Sequence, residues 1–324
     1  MTEKTKIVLE AVKRFPSLPT RTIARYILEN HGDLWEGSLE RIRSAVRNRR
    51  GTNGEHTRET IPLIIPADNV RLPQTWKRER KHYDLSPGLW LLLPDVHVPF
   101  HDMKAVESAV SYGKSQKVDG IVFTGDTQDC ASISFWVSQR KRDFDREVEI
   151  FIDFLDFIQY EFAKQKKVYM IGNHEYRLPR MYQTKVPELM GLPLLAMDAV
   201  LNLEGRGYEY LDYLQLVMAG ELPILHGHEL GRGVSTVVNP ARGLMLKTKS
   251  HAMCAHFHRT SEHSDRSIRD KLLTTWSMGC LCDLSPDYHA YGNNWNWGFA
   301  LVNVEKGGNF EVENKRILPN GKVV

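Results

Sequence analysis

Groups of potential metal ligands follow apolar segments at four points along the chain. The apolar segments lie at residues 89–93, 120–124, 167–171 and 222–225, and each has the length of a buried β-strand. The segments between them alternate with amphipathic helical patterns, which indicates parallel strands joined by helices. Because ligands collect at the carboxyl ends of parallel strands, we expect the polar side chains that follow these segments to converge on one site.

The groups combine carboxylate, amide and imidazole side chains in a fixed order. They are Asp95-Val96-His97, Gly125-Asp126-Thr127-Gln128-Asp129, Gly172-Asn173-His174-Glu175, His226-Gly227-His228 and, after the small-residue stretch Ala252–Ala255, His256-Phe257-His258. Side chains two residues apart in an extended segment share one face, so the D-x-H and H-x-H spacings place both of their polar side chains on the same side of the chain. Mixed oxygen and nitrogen ligands suit manganese, iron or zinc better than magnesium or calcium.

The order D-x-H, G-D-x-x-D, G-N-H-E, H and H-x-H resembles that of the calcineurin-like metallophosphoesterase superfamily. The resemblance extends from Leu89 to about Val304, and it departs slightly at Ala255, where the family usually has Gly. It implies an α/β protein with a four-layer α/β-sandwich fold and a dinuclear metal site that hydrolyses phosphate esters. After Tyr208 the pattern becomes richer in strands, which favours a second, mixed or antiparallel sheet packed on the first.

The resemblance also implies ligand roles by position. The expected ligands are Asp95, His97 and His258 for the first metal, Asn173, His226 and His256 for the second, and Asp126 as a bridge between them. His228 remains an alternative to His226, which we prefer because it directly follows the strand. The expected cofactors are two divalent ions, with manganese favoured over iron or zinc.

Four further residues are candidates for catalysis or substrate binding. By resemblance, His174 acts as a general acid or phosphate contact, and Asp129 orients it. Arg177 is a candidate phosphate clamp, and so is Arg242; a surface ion pair is the alternative for each. The aromatic segment at residues 288–297 is a candidate for stacking nucleic-acid bases, or it covers an edge of the core.

Residues 1–51 predict a small all-α N-terminal domain of three short helices. Apolar positions recur at helical spacing, Pro16 separates the first two helices, and Gly51 ends the third. The third helix carries a basic face formed by Arg41, Arg43, Arg47, Arg49 and Arg50. The arrangement resembles a helix-turn-helix unit that binds nucleic acid, although the second connection is longer than the usual turn. The alternative is a helical bundle whose arginines face water.

The basic charge of the chain is concentrated at its N-terminal end. Residues 1–82 contain 17 Lys and Arg against 10 Asp and Glu, whereas the net charge of the whole chain is only +3. Residues 52–86 form a polar stretch that we interpret as a linker, with one candidate strand at residues 61–65, and the catalytic domain is expected at residues 87–324. A basic unit attached to a mildly acidic body favours nucleic acid as the partner.

The sequence also argues against several classes of protein. Its longest apolar runs are too short to span a bilayer and its N-terminus lacks the pattern of a signal peptide, so we expect a cytoplasmic protein without a membrane partner. The four cysteines are too few for a disulfide scaffold. The sequence contains no G-x-S-x-G motif that would support a serine nucleophile. It leaves the oligomeric state open.

The expected activity is metal-dependent hydrolysis of phosphate esters, with phosphodiester bonds of nucleic acid as the favoured substrate. Cys130 stands where the protein Ser/Thr phosphatase branch usually has Arg, which argues against that branch. One alternative is a phosphomonoesterase or cyclic-nucleotide phosphodiesterase with a regulatory N-terminal unit. Another is a non-catalytic DNA-binding scaffold with a vestigial metal site.

Overall fold

The computed structural model describes residues 1–50, 72, 74–75, 81–135, 143–231, 238–287 and 291–324. The chain divides into two compact units, residues 1–77 and 78–324. The candidate strand at residues 61–65 and most of the expected linker lie outside the described residues. Among the described helices, none is both long enough and apolar enough to cross a membrane.

The first unit contains the three helices that the apolar spacing predicts. They are α1 (Glu3–Arg14), α2 (Thr20–His31) and α3 (Leu39–Arg50). A short 3-10 helix at Gly32–Trp35 fills the long connection between α2 and α3. One apolar face of each helix is buried in a common core, which includes Val8, Ile27 and Ile42. This core is separate from those of the second unit.

The second unit is built from strands and helices that alternate in its first half. In chain order, the described strands are β1 (His82–Asp84), β2 (Gly88–Leu93), β3 (Gly120–Phe123), β4 (Lys166–Met170), β5 (Tyr208–Leu211), β6 (Leu216–Ala219), β7 (Leu222–Leu225), β8 (Ala252–Cys254), β9 (Ser261–Arg266), β10 (Leu272–Ser277), β11 (Gly298–Val304) and β12 (Phe310–Arg316). The described helices are α4 (Met103–Gln116), α5 (Phe144–Glu161), α6 (Arg177–Lys185), α7 (Met197–Val200) and α8 (Pro240–Thr248).

These strands form two six-stranded mixed sheets. The first has the order β12-β11-β2-β3-β4-β5, in which β2 to β5 are parallel and β11 and β12 are antiparallel. The second has the order β1-β6-β7-β8-β10-β9. In β2 alternate side chains point to opposite faces, so that Trp90 and Leu92 pack between the sheets while Leu91 and Leu93 pack against helices.

The two sheets and their helices make four layers. Helices α4 and α5 cover the outer face of the first sheet, with Val106 and Phe151 in the core beneath them. Helix α8 covers the outer face of the second sheet, where Leu244 packs on Leu225 and Ala252. The predicted four-layer α/β-sandwich fold is therefore confirmed.

The sheet edges differ from the sequence prediction. The apolar pattern does not predict β1, β5, β9 and β12, which are the four edge strands of the two sheets. Edge strands bury little surface, and the sequence of β9, for example, is almost entirely polar and exposed. Strand β1 lies at the end of the stretch predicted as linker.

Candidate metal centre

Loops from both sheets carry the predicted ligands to one place. Asp95, Asp126 and Asn173 lie in the loops that follow the parallel strands β2, β3 and β4 of the first sheet. His226 and His256 follow β7 and β8, which are parallel neighbours in the second sheet. The carboxyl ends of these strands meet at one end of the sandwich, as the sequence predicts.

The ligand loops adopt a backbone conformation that non-glycine residues rarely use. The φ angle is +44° at Asp95, +53° at His97, +51° at Asp126, +67° at His256 and +54° at His258. Left-handed backbone at such residues costs on the order of 1–3 kcal/mol each and persists only where other contacts enforce it. Backbone hydrogen bonds provide this constraint, because the N–H of His97 donates to the carbonyl of Asp126 at 2.9 Å.

A buried carboxylate holds the loops that carry Asp126 and Asn173. Glu175 is only 1% exposed. It accepts hydrogen bonds from the backbone N–H groups of Asp126, Thr127, Gln128 and Gly172 and from the hydroxyl of Tyr169, at 2.6–3.1 Å. Burial and the charge of Asp126 raise the pKa of Glu175, whereas the N–H of Gln128 opposes this shift. The sequence pattern gives no indication of a role for Glu175, and these contacts make it the residue that fixes the position of Asp126.

The first set of predicted ligands converges through three side chains. His258 Nε2 lies 3.2 Å from Asp95 Oδ1 and 3.3 Å from His97 Nε2. The remaining pair, His97 Nε2 and Asp95 Oδ1, is 3.9 Å apart. Ligand atoms that share a cation at bond lengths of about 2.0–2.2 Å have separations of this size.

The second set converges around His226. Its Nε2 lies 3.1 Å from Asp126 Oδ2 and 3.2 Å from Asn173 Oδ1. Ligand atoms of Asp126, His226 and His256 all lie within 4.8 Å of one another. Asp126 Oδ2 is also 3.9 Å from His97 Nε2, so this carboxylate lies between the two sets.

The residues present fit a pair of divalent cations. Asp95 Oδ1 is buried, and its nearest partner among the described residues is His258 Nε2 at 3.2 Å. His97 and His258 direct Nε2 at each other at 3.3 Å, so these two atoms can share one proton or give both lone pairs to one cation. Carboxylate, amide and imidazole donors suit divalent transition metals, and the geometry does not distinguish among those ions.

The ligand imidazoles are oriented by contacts at their opposite nitrogen. His97 Nδ1 lies 2.8 Å from Asp129 Oδ2, and His226 Nδ1 lies 2.9 Å from the carbonyl oxygen of Thr124. An oxygen acceptor at Nδ1 holds the ring proton there and leaves the lone pair of Nε2 free for a cation. Asp129, predicted to orient His174, therefore also orients His97.

The charges of the cluster are balanced by protons in the absence of cations. Burial alone would lower the pKa of His226, but the Asp126 carboxylate outweighs burial and raises this pKa to about 10. Burial and the nearby His226 lower the pKa of His256 to about 3. Since a cation needs neutral imidazoles, its binding must release the proton that His226 shares with Asp126.

His228 lies beside the cluster, but another group occupies its Nε2. That atom is 2.6 Å from the hydroxyl of Tyr213, whose ring stacks on His228 and on Tyr176. His226, in contrast, points Nε2 at Asp126. The geometry therefore favours His226 over the alternative, His228, as a ligand.

A pair of substitutions tests this choice. We expect His226→Ala to lose one cation per chain, because Nε2 of His226 contacts both Asp126 and Asn173. His228→Phe keeps the ring stack with Tyr213 and should bind two cations. Elemental analysis of both variants after equilibration with manganese measures the difference. Two cations in His226→Ala, or one in His228→Phe, would contradict the assignment.

His174 and Arg177 lie at the opening of the cluster. His174 Nδ1 is 3.0 Å from the carbonyl oxygen and 3.2 Å from the carboxylate of Asp129. Arg177 donates to the same carbonyl oxygen at 2.9 Å, and its Nη2 is 3.1 Å from His174 Nε2. The backbone N–H of His174 donates to Asp126 Oδ1 at 2.8 Å. The structure thus brings His174, Asp129 and Arg177 together beside the two ligand sets.

The structure does not bring Arg242 into the cluster. Arg242 is exposed in the first turn of α8, which covers the outer face of the second sheet. Its backbone N–H donates to Asn239 Oδ1, and no contact between described residues joins its guanidinium to the candidate ligands.

The predicted aromatic segment lies partly beside the cluster. The ring centroids of Trp295 and His258 are 4.1 Å apart, and Trp297 Nε1 donates to the carbonyl of Cys282. Tyr288 is outside the described residues.

The basic residues of α3 divide into three groups. Arg41 and Arg43 make surface ion pairs with Glu36 at 2.5 Å and Glu40 at 2.8 Å. Arg47 and Arg49 form no ion pair with any residue in the described ranges. Arg50 donates to the carbonyl oxygens of Phe15, Pro16 and Leu18 and so ties α3 to the connection between α1 and α2. Arg50 therefore has a structural use that the sequence pattern does not reveal.

Comparisons with known proteins give distant similarities. No protein family model matches the chain. Among curated proteins, it is 23% identical over 227 residues to the Gene 54 protein of Mycobacterium phage L5 and 24% identical over 228 residues to that of phage D29. Both alignments cover 66% of this chain and 88% of the phage protein.

Solved structures show similarity of the same remote kind. Vacuolar Protein Sorting 29 from Cryptosporidium parvum has a TM-score of 0.38 and 15% identity, covering 74% of this chain and 96% of that one. YfcE, a phosphoesterase from E. coli, has a TM-score of 0.35 and 10% identity, covering 73% and 96%. Similarity at this level does not indicate an activity. A conclusion about function therefore depends on the geometry of the site.

Proposed function

We propose that this protein is a metal-dependent phosphoesterase. The observation that carries the proposal is the arrangement of two adjoining ligand sets that share Asp126, with His174 beside them. Two divalent cations at such a site supply Lewis-acid binding of phosphate oxygens and activation of water near neutral pH. The residue types and their spacing support this chemistry over a covalent mechanism, for which the described residues of the cluster offer no serine nucleophile.

The protein side chains around the cations have separable roles. Asp95, Asp126 and the candidate ligand imidazoles would hold the ions. His174 protonates the departing alkoxide through Nε2, because its Nδ1 is held by Asp129. Arg177 lies within reach of the same position and binds a phosphate oxygen when substrate enters.

We further propose that the substrate is a phosphodiester of nucleic acid. The excess of Lys and Arg in residues 1–82 and the exposed arginines of α3 support a polyanionic partner. The ring of Trp295 next to His258 offers a surface on which a base can stack close to the cations. The Gene 54 proteins share sequence with this chain, but their names do not state an activity.

The decisive experiment compares ester classes with and without manganese. We expect the full chain to cleave bis-p-nitrophenyl phosphate in preference to p-nitrophenyl phosphate, and to cleave DNA or RNA. Replacement of Arg41, Arg43, Arg47 and Arg49 by Ala, with Arg50 retained for stability, should weaken DNA binding and leave turnover of the small diester unchanged. The slope of log affinity against log salt should become shallower by about 0.9 for each phosphate of duplex DNA that the variant no longer neutralises.

Other outcomes point to other functions. Turnover of monoesters alone would replace the nuclease proposal with a phosphomonoesterase, and turnover of cyclic nucleotides alone would indicate a nucleotide phosphodiesterase. Binding of DNA without hydrolysis of any ester would indicate a scaffold. Unchanged DNA affinity in the four-arginine variant would refute the role proposed for α3.

A further inference from the structure

A buried thiol contacts the imidazole of His258 on the side opposite Asp95. Cys282 Sγ lies 3.8 Å from His258 Nδ1, within the range of a hydrogen bond to sulfur. The two residues are 4% and 5% exposed, so water does not compete for this contact. The other nitrogen, Nε2, faces Asp95 and His97. The imidazole therefore lies between a thiol and the first ligand set.

Two other imidazoles of the cluster make a comparable contact at Nδ1, in each case with an oxygen atom. His97 Nδ1 contacts the Asp129 carboxylate, and His226 Nδ1 contacts the carbonyl of Thr124. A neutral imidazole that gives the lone pair of Nε2 to a cation carries its proton on Nδ1, and this proton needs an acceptor. At His258 the sulfur of Cys282 is 3.8 Å from Nδ1, and the neighbouring thiol of Cys280 also hydrogen-bonds to this ring. Sulfur is a weaker and more polarisable acceptor than oxygen.

The backbone around Cys282 is fixed to the loop that carries Asp95. The N–H of Leu281 donates to the carbonyl of Asp95 at 3.1 Å, and the N–H of Asp283 donates to the carbonyl of Phe100 at 2.8 Å. On the other side, Trp297 Nε1 donates to the carbonyl of Cys282 at 2.9 Å. With its main chain held on both sides, the thiol has little freedom to move away from His258.

We propose that Cys282 is a positioning residue of the metal centre: its sulfur accepts the Nδ1 proton of His258 and so directs Nε2 at the first cation. This inference rests on the proposed function for the existence of the cation. It goes beyond that function by giving a role to a cysteine to which the sequence pattern assigns none. Cys282 acts through His258 and contacts neither the substrate nor the reacting atoms.

The test measures cobalt binding by full-length variants. We expect Cys282→Ala to weaken cobalt affinity by about 10–100-fold, the usual effect of removing an outer partner of a metal ligand. Cys282→Ser restores an acceptor for Nδ1–H and should recover most of this affinity. Cys254→Ala is the matched control, since it removes another fully buried thiol, one that packs beneath α8. Thermal unfolding of the cation-free variants shows whether each one folds.

The visible absorption of bound cobalt gives a second readout, independent of turnover. Its bands should shift in Cys282→Ala and return toward wild type in Cys282→Ser. Cobalt affinity in Cys282→Ala equal to that of Cys254→Ala would overturn the inference. So would a thiolate-to-cobalt charge-transfer band in the wild-type protein that Cys282→Ala removes, because Cys282 would then be a direct ligand. Wild-type protein that binds no cobalt would overturn both this inference and the proposed function, whereas cobalt binding without ester hydrolysis would overturn only the proposed activity.

Discussion

Replacement of His174 by Ala is expected to reduce ester hydrolysis by about 10²–10⁴-fold, the usual contribution of a general acid. Both cations should remain bound, because His174 contacts Asp126 through its backbone N–H as well as its ring, and the alanine variant keeps that N–H. Asp129 also keeps its contact with His97, so the first ligand set stays oriented. The reduction should therefore appear in the chemical step.

Leaving groups of different basicity separate this role from a structural one. A poor leaving group needs protonation, whereas 4-nitrophenolate departs without it, so the alanine variant should lose far more activity on alkyl esters than on 4-nitrophenyl esters. Steady-state rates on both classes, with metal content measured in the same samples, provide the comparison. Equal losses on both classes, or the absence of one cation, would show that His174 is a ligand or a structural residue.

The second large effect is expected at Glu175, where substitution by Gln should lower the free energy of unfolding by about 2–4 kcal/mol. Each carboxylate oxygen accepts at least two hydrogen bonds, and the amide nitrogen of Gln cannot accept any. Two buried donors lose their partner at roughly 1–3 kcal/mol each, offset in part by the relief of repulsion with Asp126. Cation affinity should also fall, because Asp126 loses its fixed backbone.

Tyr169→Phe is the matched control for this prediction. It removes one of the five hydrogen bonds to Glu175 and leaves the four from the backbone, so we expect a loss of about 1 kcal/mol. Urea denaturation of both variants without cations gives the two values. A Glu175→Gln variant as stable as Tyr169→Phe would mean that the carboxylate is not what holds these loops.

The sequence predicts the parts of the fold that combine burial with regular spacing. Strands β2, β3 and β7 are short apolar runs, and each is followed by polar side chains that have no use in a core, so both the strand and the site can be inferred from the same segment. The edge strands bury too few side chains to produce such a run. Strand β12, which alternates exposed and half-buried residues, is an example.

The spacing of residues in the sequence does not predict the contacts that orient the candidate ligands. The contacting residues are far apart in the sequence. Tyr213 is 15 residues from His228, Cys282 is 24 residues from His258, and Glu175 is 49 residues from Asp126, whose backbone N–H donates to it. Each of these contacts depends on how separate loops meet after folding. Local periodicity contains no information about such contacts, and so the convergence of the candidate ligands could be predicted from the sequence while the contacts that orient them could not.

The candidate ligands follow strands of two different sheets. Cation binding is therefore expected to affect the stability of the packed sheets as well as the activity. A cation held jointly by His226 of the second sheet and Asp126 of the first binds only when the two sheets are packed together. Binding that requires the packed state stabilises it, by about 2.7 kcal/mol when the free ion is at 100 times its dissociation constant. Chelation is therefore expected to lower the melting temperature of the sandwich at the same ion concentrations at which hydrolysis stops.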